Sequence, residues 1–183
     1  MGLALAGLFA RKSISVSIAS HRPPQAVARL VRELGATVTA VSLEEGVRAD
    51  VVLLAIPFPA LHELARATAV DWRGKIVVDA MNAREDLGDR LSSNIVADAL
   101  GGARVVKAFN QLPAALLGRD PSENGGRRVV FVASNDDGAS GTVQTLAKEL
   151  GFSPIGLGRL SDGGRLLSFR GPLMLHNLVE QSL

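Results

Sequence analysis

Asp50-Val51-Val52-Leu53-Leu54-Ala55-Ile56-Pro57-Phe58-Pro59-Ala60 constrains this chain more than any other stretch. Its apolar run shows no alternation and is too short for an ordinary helix, so it reads as a strand buried on both faces. Such a strand belongs to a parallel sheet covered by helices. Pro57 stops it, because proline has no N–H to give to a ladder. Ligands of open α/β sheets sit just beyond the carboxyl ends of such strands. Ala55, Ile56, Pro57 and Ala60 are therefore expected to line a ligand crevice.

The rest of the chain repeats the strand–helix rhythm. Gly2–Lys12 reads as a helix ending in Arg11-Lys12, which suits the negative end of its dipole. Ile14–Ala19 reads as a strand. Pro23-Pro24 opens a helix with Val27, Leu30, Val31 and Leu34 on one face and Gly35 as its stop. Thr37–Val41 is β-branched, Leu43–Val47 a short helix, and Leu61–Ala69 a helix. Lys75–Ala80, Arg104–Ala108, Val129–Ala133 and Ser153–Leu157 are strands. Leu91–Leu100 and Ala139–Leu150 are helices, Asp120–Arg127 (with Asn124) is a loop, and the tail from Gly164 is expected to be helical with a break near Gly171-Pro172. This alternation predicts a doubly wound, mainly parallel Rossmann-type α/β fold. Residues 1–150 form the dinucleotide-binding domain in this reading, and 151–183 a small helical C-terminal segment.

Bulk properties narrow the function. A 183-residue chain with 47% hydrophobic residues can bury a sizeable core. A net charge of +2 is too small to argue for nucleic acid. The chain has no cysteine, and His21, His62 and His176 lack paired ligand spacing, so no metal site is expected. No apolar run approaches the length of a membrane span. Ala6 breaks the N-myristoylation pattern. The default location is cytoplasmic.

Four places carry the chemistry. Ser20-His21-Arg22 follows the strand Ile14–Ala19, where a dinucleotide fold meets the adenine ribose. NAD enzymes place an acid there, and an arginine accommodates a 2′-phosphate instead. A hydroxyl, an imidazole and a guanidinium without a carboxylate make a phosphate cradle, which favours NADP over NAD. Gly2 resembles the third glycine of G-x-G-x-x-G, the one that permits close helix–strand packing. The first strand and the two earlier glycines are then expected upstream of Met1. In the strand order 3-2-1-4-5-6 that strand lies mid-sheet. Its absence would leave two facing edges unpaired, at about 1–3 kcal/mol for each buried unsatisfied group. Asn82, closing Asp79-Ala80-Met81-Asn82, can hydrogen-bond a carboxamide or ribose, or simply start a turn. Asn110 and Ala114, after Lys107-Ala108-Phe109, are expected to face the same crevice, and Lys107 reads as a snorkelling or structural lysine and not a catalytic one. No nucleophile elbow, carboxylate pair or Walker loop is present. Hydride transfer between two bound cofactors needs positioning and no dedicated acid or base.

Ile18-Ala19-Ser20-His21-Arg22-Pro23, Ala55-Ile56-Pro57-Phe58, Lys75–Asn82 and Val105-Val106-Lys107-Ala108-Phe109-Asn110 occur in this order, followed by Gly158-Arg159-Leu160-Ser161. Together they resemble the F-420-dependent NADP oxidoreductases, also called NADPH:F-420 reductases. The resemblance implies an NADP-binding Rossmann domain with a small C-terminal subdomain, usually dimeric, passing hydride between NADP(H) and a deazaflavin (coenzyme F-420) or a flavin. It implies that Ser20, His21 and Arg22 hold the 2′-phosphate. Ile56, Pro57, Ala60, Asn82 and Ala114 would contact the rest of NADP, and the deazaflavin would approach Asn110. The family's Leu-Glu step after its tail arginine is Leu166-Leu167 here, without the acid. Leu173, Leu175 and Leu178 are the residues expected at a homodimer contact.

Two other readings compete. One is a catalytically inactive Rossmann-like binding module. The other is a small-substrate NADP dehydrogenase, whose relatives carry a long helical domain after the Rossmann unit; only a short segment follows residue 150 here.

Overall fold

A computed structural model describes residues 1–122 and 125–181; Asn124 of the expected loop lies outside them. The chain runs α1 (Gly2–Arg11), β1 (Val16–Ile18), α2 (Pro24–Leu34), β2 (Val38–Ala40), α3 (Leu43–Gly46) and β3 (Val51–Leu54). A single 3-10 turn (Phe58–Ala60) leads to α4 (Leu61–Ala67), β4 (Ile76–Asp79), α5 (Ser92–Ala99) and β5 (Arg104–Ala108). Then come α6 (Ala114–Leu117), β6 (Gly126–Ser134), α7 (Asp137–Glu149), β7 (Ser153–Gly156) and β8 (Val179–Gln181). Each element expected from the sequence before residue 157 is present, within a few residues of its expected ends.

The strands fall into two sheets. β3-β4-β5-β6-β7 are bonded in that order, with β8 added to β6. β3, β4 and β5 are mutually parallel, β6 runs antiparallel to β5, and β7 runs parallel to β6. β1 and β2 form a separate parallel pair. The division falls between β1 and β3, which are not bonded to each other among the described residues.

Packing follows from the sequence patterns. One face of the large sheet buries Val78, Val106 and Val132 against Leu5, Leu8 and Phe9 of α1 and Val143 and Ala147 of α7. The other face buries Val77 and Val105 against Leu61 and Leu64 of α4 and Val96 of α5. β4 is buried along its whole length, as a strand covered on both faces must be. The β1–β2 pair has a much smaller cluster, in which Ala6, Val31 and Val38 are fully buried.

The tail differs from the expected helix. It makes one wide π-type turn at Leu160–Gly164, then irregular turns, and ends in β8 against β6. Gly163, Gly164, Gly171 and Pro172 explain this, since glycine weakens a helix and proline cannot continue one. Leu160 and Leu167 bury against Val129, Phe131 and Ala133, so the tail packs on the sheet without helical order.

Candidate active site

The predicted residues stand at the carboxyl ends of four parallel strands. Ser20, His21 and Arg22 follow β1, and Ile56, Pro57 and Ala60 follow β3. Asn82 follows β4, Asn110 follows β5, and Ala114 opens α6.

The Ser20–Arg22 turn is organised by its own hydroxyl: Ser20 Oγ accepts the Arg22 N–H at 3.1 Å. His21 and Arg22 are exposed, and among the described residues Arg22 makes no ion pair. A guanidinium presented beyond a strand end with no carboxylate beside it is available to an anionic group. Gly2 stands across from the end of β3. A side chain there would meet Ala55 Cβ at 3.7 Å, an ordinary contact, so no close helix–strand approach forces glycine at this position.

Asn82 and Asn110 meet. Asn82 Nδ2 donates to the Asn110 carbonyl at 3.0 Å, and Asn110 Nδ2 donates to Asn82 Oδ1 at 3.0 Å. Asn110 Nδ2 also reaches the Leu167 carbonyl at 2.7 Å, which ties the tail to the strand end. The remaining Asn110 acceptor, Oδ1, is buried without a hydrogen-bond partner. An orphaned buried acceptor costs about 1–3 kcal/mol unless a donor reaches it. A carboxamide or ring N–H of a bound cofactor is such a donor. The residue before it, Phe109, has φ +60°, in the left-handed region that side chains avoid. Its ring packs edge-on against Phe152 at 6.0 Å, and this fully buried pair holds the turn that carries Asn110. Strain of this kind, about 1–3 kcal/mol, persists where the surroundings over-determine the backbone.

Beneath the asparagines lies a buried ion pair. Lys107 Nζ is 3.1 Å from Asp79 Oδ2 and 2.6 Å from the Met81 carbonyl. Asp79 also accepts from the Met81 N–H and from Ser93 Oγ. Both side chains are at most 2% exposed. Lys107 thus belongs to the structure, as its sequence reading holds, and with Asp79 it fixes Met81-Asn82. Gln111 was not singled out from the sequence. Its side chain donates to the Val129 carbonyl at 3.1 Å and accepts from the Phe131 N–H at 2.9 Å, so it locks the segment after Asn110 onto β6. Only a polar residue in an otherwise apolar stretch hinted at it.

Not every expected residue converges. No hydrogen bond or ion pair joins the Ser20–Arg22 turn or Ala114 to the asparagine pair among the described residues. Of the leucines expected at a dimer contact, Leu175 and Leu178 are 70% and 43% exposed, whereas Leu173 is half-buried against the Val129–Phe131 cluster. No cluster of potential metal ligands and no helix long and apolar enough to cross a membrane occurs among the described residues.

Comparison with known proteins agrees with the fold. The family model described as NADP oxidoreductase, coenzyme F-420-dependent, matches residues 1–83. The structure of a hypothetical protein from Sinorhizobium meliloti is 41% identical with a TM-score of 0.93, over 98% of this chain and 90% of that one. A candidate F-420-dependent NADP-reductase from an Arthrobacter species is 27% identical with a TM-score of 0.76, over 91% of this chain and 84% of that one. The metalloreductase STEAP3 of Rattus norvegicus is 31% identical over 121 residues, 64% of this chain. The chain spans about a quarter of the length of the curated relatives it matches. With the fold and these similarities in agreement, residues 1–83 match the family of F-420-dependent NADP oxidoreductases.

Proposed function

We propose that this chain binds NADP(H) across the carboxyl ends of β1, β3, β4 and β5, and that it serves hydride transfer to or from coenzyme F-420 or a flavin. The carrying observation is the Ser20-His21-Arg22 turn, exposed beyond β1 and free of any acid at the position where a 2′-hydroxyl would need one. Arg22, with Ser20 and His21, binds the 2′-phosphate. Ile56, Pro57 and Ala60 shape the crevice, with Ala114 at its far side. Asn82 and Asn110 orient the carboxamide end, and Asn110 Oδ1 takes the donor it lacks. The bound nicotinamide supplies the hydride. Asp79 and Lys107 touch neither cofactor and act by holding the Met81-Asn82 backbone in place. Leu175 and Leu178 are the residues on which we place the contact between two copies.

The test is titration of NADPH and NADH into the protein and into Arg22→Ala. We expect the variant to lose about 10–100-fold in NADPH affinity, the worth of charge-assisted hydrogen bonds to the phosphate, with NADH little changed. Equal losses for both cofactors would remove the phosphate cradle from the reading. If neither cofactor bound the unaltered protein, the reading as an inactive binding module would replace this one. The observation that favours that second reading is the separation of β1–β2 from the main sheet.

A further inference from the structure

β5 and β8 share one edge of β6 and leave a gap between them. The Val132 carbonyl accepts from Leu157 on the β7 side, so Val129 and Phe131, out of step with it, turn their backbone groups to the other edge. On that edge β5 pairs residues 132–134 and β8 pairs residues 126–128, with the Val129 N–H donating to the Leu178 carbonyl. The Val129 carbonyl and the Phe131 N–H fall between the two strands. Gln111 fills the gap with its side chain: Nε2 donates to the Val129 carbonyl at 3.1 Å, and Oε1 accepts from the Phe131 N–H at 2.9 Å. One carboxamide thus satisfies the two groups that one residue of a parallel strand would satisfy. The main chain of Gln111 is held as well, because its carbonyl accepts the Leu175 N–H at 2.8 Å.

Gln111 therefore bears on Asn110 from two directions. Along the chain it is the next residue, and both residues are 1% exposed. Through space it holds the tail at Leu175, and the Leu173 N–H returns to the Leu166 carbonyl, which closes that part of the tail on itself. The closed segment sets the Leu167 carbonyl 2.7 Å and Met174 Sδ 3.5 Å from Asn110 Nδ2. On the other side of Asn110, Phe109 carries its left-handed φ of +60°. Strain of that kind persists only while the surroundings over-determine the backbone, and the doubly held Gln111 is what over-determines it here. We propose that Gln111 is the positioning residue of the hydride end. It acts through Asn110, fixing the carboxamide whose buried oxygen lacks a partner, and it clamps the tail beside that carboxamide. The inference rests on the NADP reading, in which that oxygen meets the nicotinamide carboxamide. The side chain of Gln111 is itself engaged on β6, so Asn110 is the group through which it acts.

The test separates the two ends of the cofactor. Isothermal titration measures NADP+ and 2′-phospho-ADP-ribose, the same molecule without its nicotinamide, against the protein and against Gln111→Met. The variant keeps the length of the side chain and loses its hydrogen bonds. We expect it to bind NADP+ about tenfold more weakly, the worth of one hydrogen bond, and 2′-phospho-ADP-ribose within about twofold of the unaltered protein. Equal losses for both ligands would make Gln111 a residue of general stability and overturn the proposal, as would no loss for either. Gln111→Glu keeps the acceptor for Phe131 and, when ionised, loses the donor to Val129, so it carries the same comparison should the methionine variant not fold. Exchange of the Asn110 side-chain amide hydrogens, followed by NMR without ligand, should quicken on the order of tenfold in either variant. Unchanged exchange would also overturn the proposal. If neither ligand bound the unaltered protein, the NADP reading itself would fail, and the role of Gln111 at a hydride end with it. Binding of both ligands with equal losses would leave that reading standing and count against Gln111 alone.

Discussion

The carboxyl ends of β4 and β5 and those of β1 and β3, the two halves of the proposed site, are held by different means. At β4 and β5 the backbone is bolted: Lys107 and Asp79 are buried beneath it, and Asn82 and Asn110 share reciprocal hydrogen bonds above. At β1 and β3 the ladder is one-sided, and the β1–β2 pair rests on a cluster with three fully buried residues. The difference suits the proposed ligand. The end where a hydride must be aimed needs fixed geometry. The end where a phosphate is gripped by an arginine on a surface turn tolerates more freedom.

The largest expected effect comes from breaking the bolted half. Lys107→Met leaves the Asp79 carboxylate buried and unpaired, which should cost about 3–5 kcal/mol in urea unfolding. The double variant Lys107→Met/Asp79→Leu should recover most of that loss, because a well-packed apolar pair can replace a buried ion pair. A loss below about 1 kcal/mol for the single variant would place the pair on the weak scale of surface bridges and dissolve the contrast between the halves.

A milder probe leaves the sequence intact. Native-state amide exchange should be faster at Val16–Ile18 than at Ile76–Asp79 by roughly 100-fold, since few buried contacts hold the first pair and both faces cover the second. Equal rates would show that the two sheets open as a single cooperative unit.

The smallest effect lies at the opposite end of β5. Arg104 makes two hydrogen bonds to Asp136, at 2.8 and 2.7 Å, and with the Ala139 N–H holds its carboxyl well below the usual range. The folded state therefore prefers the charged form, and this stabilisation is complete above about pH 4 and lost as pH falls further. Asp136→Asn should destabilise the protein at neutral pH, and its deficit should shrink as acid unfolding is followed downward from pH 4. Asp71, lowered from 3.8 to about 2 chiefly by the Arg73 side-chain hydrogen bond, titrates in the same window. That pair is wholly on the surface, so Asp71→Asn should change the acid curve less than Asp136→Asn does.

Much of this was legible along the chain. The apolar run at Val51–Leu54 and the repeat of Val27, Leu30, Val31 and Leu34 marked strand and helix, but burial is less complete than expected: Leu30 and Val51 are exposed, and in β3 only Val52 and Leu54 are buried. The strand-end residues Arg22, Asn82 and Asn110 were legible as separate candidates, because chain order in a parallel sheet brings strand ends to one edge. Their pairing was not. Asn82 and Asn110 are bonded across two strands, and Asp79 meets Lys107 across the same two, so neither pair has a local signature. The tail misled because its leucines suggest a helix while its glycines remove one, and packing on β6 decided between them.

The sequence by itself determined the fold class and marked Ser20-His21-Arg22 as a strand-end turn with an arginine and no acid. Periodicity, charge and chain order are local properties, and they survive in one dimension. Tertiary structure alone decided that Asn110 keeps an unpartnered acceptor and that Lys107 and Asp79 neutralise each other in the core. Each depends on groups far apart in sequence meeting where water is excluded, and there the cost of an unmet polar group is what selects the arrangement.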